Sequence, residues 1–506
     1  MYLQTEQNIT DMQLLGIDLG SSSVKVAVID GHTGDILGQG QQPKEEMEIV
    51  SMQSDWAEQS PEMWFGYLKK AIAEVLENGD IDADKIGAIG ISYQMHGLVL
   101  VDDKQQVIRP SIIWCDSRAV NIGDNATNAL GEEWTLTHLL NSPGNFTASK
   151  LKWVKENEPQ LYDKVDKFLL PGDYIAMRLS GKTTTTITGL SEGIFWDFET
   201  NSLSEELLNY YGIDKKMIPE IVAGFGEQVT LIEDMAEELG LKPGIPVTYR
   251  AGDQPNNAFS LNVLNPGEVA ATAGTSGVVY AVAGKKVYDL KSRVNVFAHV
   301  NHTQEVQRLG VLLCVNGTGI QYAWLKRLMG QERFDYPALN KMAEEVAPGS
   351  EGLMCFPFGN GAERMLENAN PGAQFSGINF NIHQDRHMVR AALEGIAFSF
   401  YYGMDIINNM GMDTNLIRAG YANLFQSEVF AKTLATLSGA VIELYNTDGS
   451  VGAARGAGVG SGFYKSSNEA FVNLKKIEAI GPDSSKVTQY RDAYNRWKSK
   501  LEESIL

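Results

Sequence analysis

Cysteine is scarce: Cys115, Cys314 and Cys355 are the only three in 506 residues. They stand far apart and form no Cys-x-x-Cys pair. So sparse and odd a set excludes a disulfide framework and points to a reducing compartment. Positive charge is also short, with 42 Lys and Arg against 63 Asp and Glu and a formal net charge of −21. Nucleic acid and anionic membranes are therefore not expected as partners. Long apolar runs are missing too: no stretch reaches the ~18–20 residues that a membrane helix needs. Residues 1–11 are polar, without the apolar centre of a secretory leader. A cytoplasmic location is the expectation.

What is present is an ordinary globular composition, 43% hydrophobic and 21% charged, so disorder is not expected. The length exceeds what one hydrophobic core serves and predicts two large domains. An acidic chain still binds a nucleotide where backbone N–H groups, a metal ion and a few local cations meet the phosphates.

The chain opens as a meander. Residues 14–18 read as a buried strand, Gly20-Ser21-Ser22-Ser23 as a turn, and residues 24–30 as a second, β-branched strand. A third strand begins near Asp35. Residues 61–78 then carry Met63, Trp64, Tyr67, Leu68, Ile72, Val75 and Leu76 at helical spacing. Residues 86–92 form a small-residue buried strand. The order βββαβ predicts a mixed sheet in an α/β fold.

Residues 16–24 share a pattern with residues 270–278: a strand, a Gly, two hydroxyl residues, a small residue and Val, then a strand. The second copy starts just after the turn-like Asn265-Pro266-Gly267, which places a domain boundary near 262–266 and predicts lobes 1–263 and 264–506. The polar helical pattern from Val487 reads as peripheral.

Strand–Gly-Ser/Thr–strand turns aim backbone N–H groups and hydroxyls at one point, a concavity that suits phosphate without net positive charge. The first places Gly20, Ser21 and Ser22 there, and the second Gly274, Thr275 and Ser276. Asp18, two residues before Gly20, is positioned for Mg²⁺ held against phosphates, and Lys25 lies in the returning strand. Two ordinary hairpins remain the simpler account of either turn alone. Gly181-Lys182-Thr183 mimics the end of a P-loop, but position 176 is Ala176 where that loop needs glycine.

Gln94-Met95-His96-Gly97 follows the 86–92 strand directly, at the kind of strand exit where α/β sheets bind ligands. Trp114, Asp116 and Arg118 follow. Polar groups among these suit a polyol's hydroxyls, and Met95 and Trp114 suit its C–H faces. A satisfied buried histidine is the alternative for His96. Asp253 ends a short strand after Gly252 and has amide neighbours in Gln254, Asn256 and Asn257. It suits a general base toward an acceptor hydroxyl, or equally a cap for a helix starting near Asn256.

Together these residues resemble the FGGY carbohydrate kinases, and within them the xylulokinases, over about residues 14–465. Residues 16–21 resemble the family's first phosphate motif, 146–154 its N-lobe signature, and Gly252-Asp253 its catalytic-aspartate motif. Residues 169–174 are also similar to the family. Gly274-Thr275-Ser276-Gly277 resembles the second phosphate motif. Ala373, Phe375, Gly377, Ile378, His387, Met388, Ala391, Ala392, Leu393 and Glu394 resemble the C-lobe signature.

The resemblance implies a duplicated actin-like (ribonuclease H-like) ATPase fold, with two lobes around a central cleft. It implies ATP and Mg²⁺, with Asp253 as base and Asp18 as the metal-side acid. Gln94, Met95, His96, Trp114, Asp116 and Gln254 become the implied sugar contacts. Gly20, Ser21, Ser22, Gly274, Thr275, Ser276, Gly317, Gly420 and Asn423 become the implied nucleotide contacts. The implied reaction is transfer of the γ-phosphoryl group to a ketopentose, D-xylulose at O5. Ribulose, gluconate or fuculose as substrate, and a non-catalytic sugar- and nucleotide-binding regulator, are the alternatives. Two departures stand out: Gln254 where Asn is common after the catalytic Asp, and a single glycine, Gly420, in residues 419–423 where a glycine run is common. A homodimer is compatible with the chain, but no residue pattern requires one.

Overall fold

The computed structural model describes residues 11–330 and 333–505, with the side chain of Ser467 left aside. Of the polar N-terminal stretch, residues 1–10 lie outside the described residues. No helix among the described residues is long and apolar enough to cross a membrane. The chain divides into two compact units. The first runs to Leu264 and takes in Phe297–Leu309 and Thr447–Leu474; the second holds Asn265–Val296, Gly310–Asn446 and Lys475–Leu506. Two late segments thus return to the first unit, so the units are not the linear halves 1–263 and 264–506.

The first unit is built on a six-stranded sheet: β1 (Gln13–Leu19), β2 (Val24–Asp30), β3 (Ile36–Gln42), β4 (Ile86–Tyr93), β5 (Phe225–Thr230) and β6 (Pro246–Gly252), in the order β5-β6-β4-β1-β2-β3. β1 runs antiparallel to β2 and parallel to β4, which sets Asp18 opposite Lys25 on one side and Ser92 on the other. β6 is parallel to β4 and antiparallel to β5. β1, β4 and β6 are buried along nearly their whole length, as central strands are when helices cover both faces. The helix Pro61–Asn78 buries Trp64, Phe65, Leu68, Ala71, Ile72 and Val75 in the core of this unit, the stripe that the 3.6 period dictates. Ser60 caps its start through the Met63 N–H.

The opposite face carries the helix Gly449–Gly460, packed across β1, β4 and β6. Its sequence, GSVGAARGAGVG, has little bulk. The sheet answers with glycine: a Cβ on Gly16 would lie 1.9 Å from the Ser450 carbonyl oxygen, and one on Gly90 2.0 Å from that of Ala453. Gly16 and Gly90 are paired in the β1–β4 register, so together they form one bare spot beneath the helix.

The second unit repeats the plan. Its sheet holds β7 (Val269–Ala273), β8 (Gly277–Ala283), β9 (Asn295–Ala298), β10 (Leu309–Val315), β11 (Leu416–Gly420), β12 (Val441–Tyr445) and β13 (Lys476–Ile480), in the order β9-β10-β8-β7-β11-β12-β13. β7 is antiparallel to β8 and parallel to β11, β11 is parallel to β12, and β12 is antiparallel to β13. The series β10-β8-β7-β11-β12-β13 therefore matches β3-β2-β1-β4-β6-β5. The nine-residue pattern seen in the sequence is the local trace of a duplicated sheet.

The C-terminal helix Val487–Ile505 is not peripheral. It buries Tyr490, Ala493, Tyr494, Trp497 and Leu501, and the fully buried Trp497 donates its indole N–H to the Cys355 carbonyl at 2.8 Å. The polar residues that dominate its sequence occupy the other face, which hides the apolar stripe at spacings of three and four.

Gly16→Ala and Gly90→Ala should each cost about 1–3 kcal/mol or more, because a methyl there meets backbone that cannot rotate away. Thermal or urea unfolding checks this. Gly66→Ala, on an open helix surface with nothing within 4 Å of the added carbon, should be neutral or slightly stabilising.

Candidate functional site

Two aspartates lie together in the first unit. Asp18 stands one residue before the end of β1 and accepts a hydrogen bond from Ser92 Oγ on β4 at 2.8 Å. The first residue of the helix Gly449–Gly460 abuts it: a Cβ on Gly449 would lie 2.4 Å from Asp18 Oδ2. That helix is capped by Asp448, whose Oδ1 accepts the Val451 N–H at 3.0 Å and whose Oδ2 accepts Gln39 Nε2 at 2.9 Å. Burial raises the Asp18 carboxyl above the usual range, and the Asp448 charge adds to this, while Ser92 and Lys25 pull it down.

Asp253 is the first residue of the helix Asp253–Ser260, directly after β6. Gly252 occupies the cap position and no side chain caps the helix, so the cap role open to Asp253 in the sequence is not the one it has. Its carboxyl is pushed up to about 7, by burial first and by the charge of Asp18 second, with the Gln254 N–H and side chain opposing. Asp18 and Asp253 are thus electrostatic neighbours at the ends of β1 and β6, strands that flank β4. Gly252 makes room beside them: a Cβ there would lie 2.5 Å from Met95 Cγ and 2.6 Å from Glu192 Oε2.

Gln94-Met95-His96-Gly97 leaves β4 beside these acids. Gln94 is buried, donates its N–H to the Leu19 carbonyl at 2.7 Å and its amide to Gln59 Oε1 at 3.1 Å, and leaves its own Oε1 without a partner. Met95 is buried. His96 adopts a left-handed backbone, φ +60°, rare for a residue with a side chain. Its Nδ1 lies 3.0 Å from the Glu192 carbonyl, and its ring meets Phe146 edge-on and Phe297 at a tilt. Lys150, from the 146–154 motif, is wholly buried and donates to the His96 and Ile113 carbonyls, both at 2.9 Å. Burial lowers its ammonium to about 7.

The structure separates Trp114 from Asp116. Trp114 is half exposed. Asp116 is fully buried, and its oxygens take the Arg118 guanidinium, the Arg118 N–H and the Ala57 N–H. A carboxylate so saturated has no face left for a sugar, so Asp116 is a scaffold residue. It fixes Arg118, which stacks 3.8 Å over Trp56 and pairs with Glu58. Glu192, which carries no motif, was not visible in the sequence. It is buried beside Asp253, and burial first, then the Asp253 charge, hold its carboxyl well above the usual range.

The two hairpins sit in different units. In the first, Gly20 N–H closes on the Ser23 carbonyl at 3.0 Å, and the Ser21 and Ser22 carbonyls accept Gln59 Nε2 and the Met47 N–H. In the second, the Gly274 and Thr275 carbonyls accept the N–H groups of Gly319 and Ile320 at 2.9 and 3.0 Å. Gly274 and Thr275 open onto a cavity of about 690 Å³ that Asn423, Ser427, Tyr336 and Asn340 also line. Ser276, Gly317 and Gly420 flank that cavity without lining it. Gly317 must be glycine, since a Cβ would fall 1.5 Å from the Pro357 carbonyl oxygen. Gly181-Lys182-Thr183 closes the helix Pro171–Ser180, with Gly181 left-handed at φ +70°, which confirms that it is no phosphate loop.

Residues 13–260 match the N-terminal domain of the FGGY family of carbohydrate kinases. The chain is 28% identical over 496 residues to the xylulose kinase of Bacillus subtilis, covering 96% of each protein. It is 27% identical over 497 residues to that of Escherichia coli, covering 96% of this chain and 99% of the relative. The crystal structure of the xylulose kinase of Brucella ovis superposes with a TM-score of 0.88 at 24% identity, over 97% of this chain and 99% of that one. With its duplicated sheets and paired hairpins, the chain belongs to the FGGY family of carbohydrate kinases, on the actin-like ATPase fold.

Proposed function

We propose that this chain phosphorylates D-xylulose at O5 with ATP, giving D-xylulose 5-phosphate and ADP. The observation that carries the reading is the juxtaposition of Asp253, Asp18 and the Met95-His96 segment at neighbouring strand ends. The xylulose kinases that align over 96% of the chain support the choice of sugar.

Asp253 accepts the O5 proton as that oxygen attacks the γ-phosphorus. The bond to the β–γ bridging oxygen breaks and ADP departs with its electrons. A base must hold its proton neither too weakly nor too tightly, and a carboxyl raised to about 7 meets that condition near neutral pH. Gln254 steadies the ionised form through its N–H and side chain. Met95, His96, Trp114, Gln94 and Gln254 form the sugar side, with Lys150 fixing the loops that carry them. The hairpin residues and Asn423 form the nucleotide side. In an acidic protein the phosphates are met mainly by backbone N–H groups.

Asp18 suits a divalent cation. One oxygen is oriented by Ser92, partial burial raises the carboxyl, and the Asp253 charge stands close by. Among the described residues no group of three or more His, Cys, Asp or Glu side chains could hold a metal. That fits an ion held chiefly by the substrate's phosphates. Mg²⁺ bound there would supply charge neutralisation at the phosphates. The sparse cysteines, free of disulfides, support a cytoplasmic site of action.

Three outcomes test the reading. Asp253→Ala should lower kcat with xylulose by ~10²–10⁴ in an ADP-release assay; turnover near that of the unaltered enzyme sinks the role. The base works ionised, so kcat/KM for the sugar should fall as pH drops through about 7, and a profile flat from pH 8 to pH 5 contradicts the assignment. In a panel of xylulose, ribulose, gluconate, fuculose and glycerol, xylulose should give the highest kcat/KM. Strong stimulation by another of them alone transfers the activity to that sugar.

A further inference from the structure

Glu363 lies outside every motif and is fully buried in the second unit. Its carboxylate accepts the first two backbone N–H groups of the loop between β10 and the helix Gly319–Leu328: Asn316 N–H at 3.1 Å to each oxygen, and Gly317 N–H at 3.2 Å. The Asn316 side-chain amide returns a bond to the Ala362 carbonyl at 2.9 Å. The same loop is wedged on its other side, where the missing Cβ of Gly317 admits the Pro357 carbonyl. From there the loop reaches the nucleotide cavity. Gly319 and Ile320 N–H groups bond the Gly274 and Thr275 carbonyls, and a Cβ on Gly319 would lie 2.3 Å from the Gly274 oxygen. Hydrogen bonds and close backbone contact thus run from Glu363, through Asn316-Gly317 and Gly319-Ile320, to the hairpin that lines the cavity.

We propose that Glu363 is a positioning residue for nucleotide binding, holding the second phosphate hairpin in shape through the Asn316–Ile320 loop. The proposal rests on the reading of that cavity as the nucleotide site.

The carboxylate's charge matters to this role, since an anion accepts two N–H groups and a neutral acid does so poorly. Burial pushes the group up to about 7, with the Asn316 and Gly317 N–H groups opposing. No charged side chain is among the causes of that shift. Arg364 turns its Nε to the Ser292 carbonyl, and Glu367 pairs with Lys291. The strut is therefore intact above about pH 7 and slackens as the acid protonates below it.

The test is ADP affinity by titration calorimetry from pH 5.5 to 8.5, for the intact chain and Glu363→Gln. The nucleotide's own titration is common to both proteins and cancels in the ratio of their Kd values. The variant should bind about tenfold more weakly at pH 8.5, with the ratio falling toward one at pH 5.5, and its xylulose KM at saturating ATP should be unchanged. A ratio near one at every pH overturns the proposal. So does a ratio constant with pH, or an equal loss of sugar affinity, since either marks a merely structural role. If the intact chain binds no ADP, the nucleotide reading itself falls and the proposal with it. Should Glu363→Gln not fold, Asn316→Ala removes the amide strut to Ala362 while keeping the carboxylate. It must weaken ADP at every pH and keep the pH dependence of the intact chain, and unchanged affinity overturns the proposal.

Discussion

The close approach of the helix Gly449–Gly460 to the bare glycines of β1 and β4 is the constraint on which the first unit's site depends. Its backbone carbonyls occupy the places where side chains on Gly16 and Gly90 would be. The helix is tied down at Thr248, whose hydroxyl bonds the Ala457 carbonyl at 2.8 Å, and at Asn256, whose amide bonds the Gly449 carbonyl at 2.9 Å. Its first turn is thereby pressed against Asp18, while Asn256 belongs to the helix that Asp253 begins. One small-residue helix, arriving some 430 residues after Asp18, thus helps place both acids. A larger side chain at either glycine would lift the helix and loosen both.

Duplication supplied two sheets of one topology, and the chemistry divided between them. The first hairpin follows a strand bearing Asp18; at the matching place in β7 stands Thr272. The second hairpin instead gains backbone contacts. A Cβ on Gly319 would lie 2.3 Å from the Gly274 carbonyl oxygen, and Gly277 has no room for one beside the Phe400 ring, 2.3 Å away. The first copy carries Asp18 close to Asp253, and the second opens onto the cavity lined by Gly274, Thr275, Tyr336, Asn340 and Asn423. On the proposed function, a chain of net charge −21 would receive an anionic nucleotide through N–H groups, which carry no net charge that solvent must balance.

What could be read from the sequence was what lies within one strand and its turn. The hairpins, Asp18 and Asp253 are each announced by a neighbour, a Gly or a strand end, that limits what the backbone can do. Asp116 shows where such reading fails. Its type and place suggested a sugar ligand, yet saturation by Arg118 and Ala57, 59 residues away, is a tertiary fact. Glu192 and Glu363 were silent for the same reason: a buried acid looks in sequence like any surface acid. The C-terminal helix was misjudged because composition outweighed its spacing. The return of 447–474 to the first unit had no local sign at all, since only the glycines of a distant sheet reveal where that helix belongs.

Three carboxyls of the first unit, Asp18, Asp253 and Glu192, form a chain of electrostatic neighbours, and burial raises each of them. Asp253 also feels Asp18, and Glu192 feels Asp253. Such a cluster opposes folding. A carboxyl raised from 3.8 to about 7 holds its proton more tightly in the folded chain, so its contribution to stability falls as pH rises from about 4 to about 7. Two groups could carry negative charge here only where something offsets it. At Glu192 burial first, then the Asp253 charge, hold the carboxyl well above the usual range, and the hydrogen bond from Tyr93 opposes them. In the proposed reaction Asp18 would meet the constraint with a cation bound at the phosphates. In the same proposed reaction Asp253 would meet it by taking up the acceptor's proton. On the proposed reaction, the burial and the Asp18 charge that make this cluster costly to the fold are also what would give Asp253 its base strength.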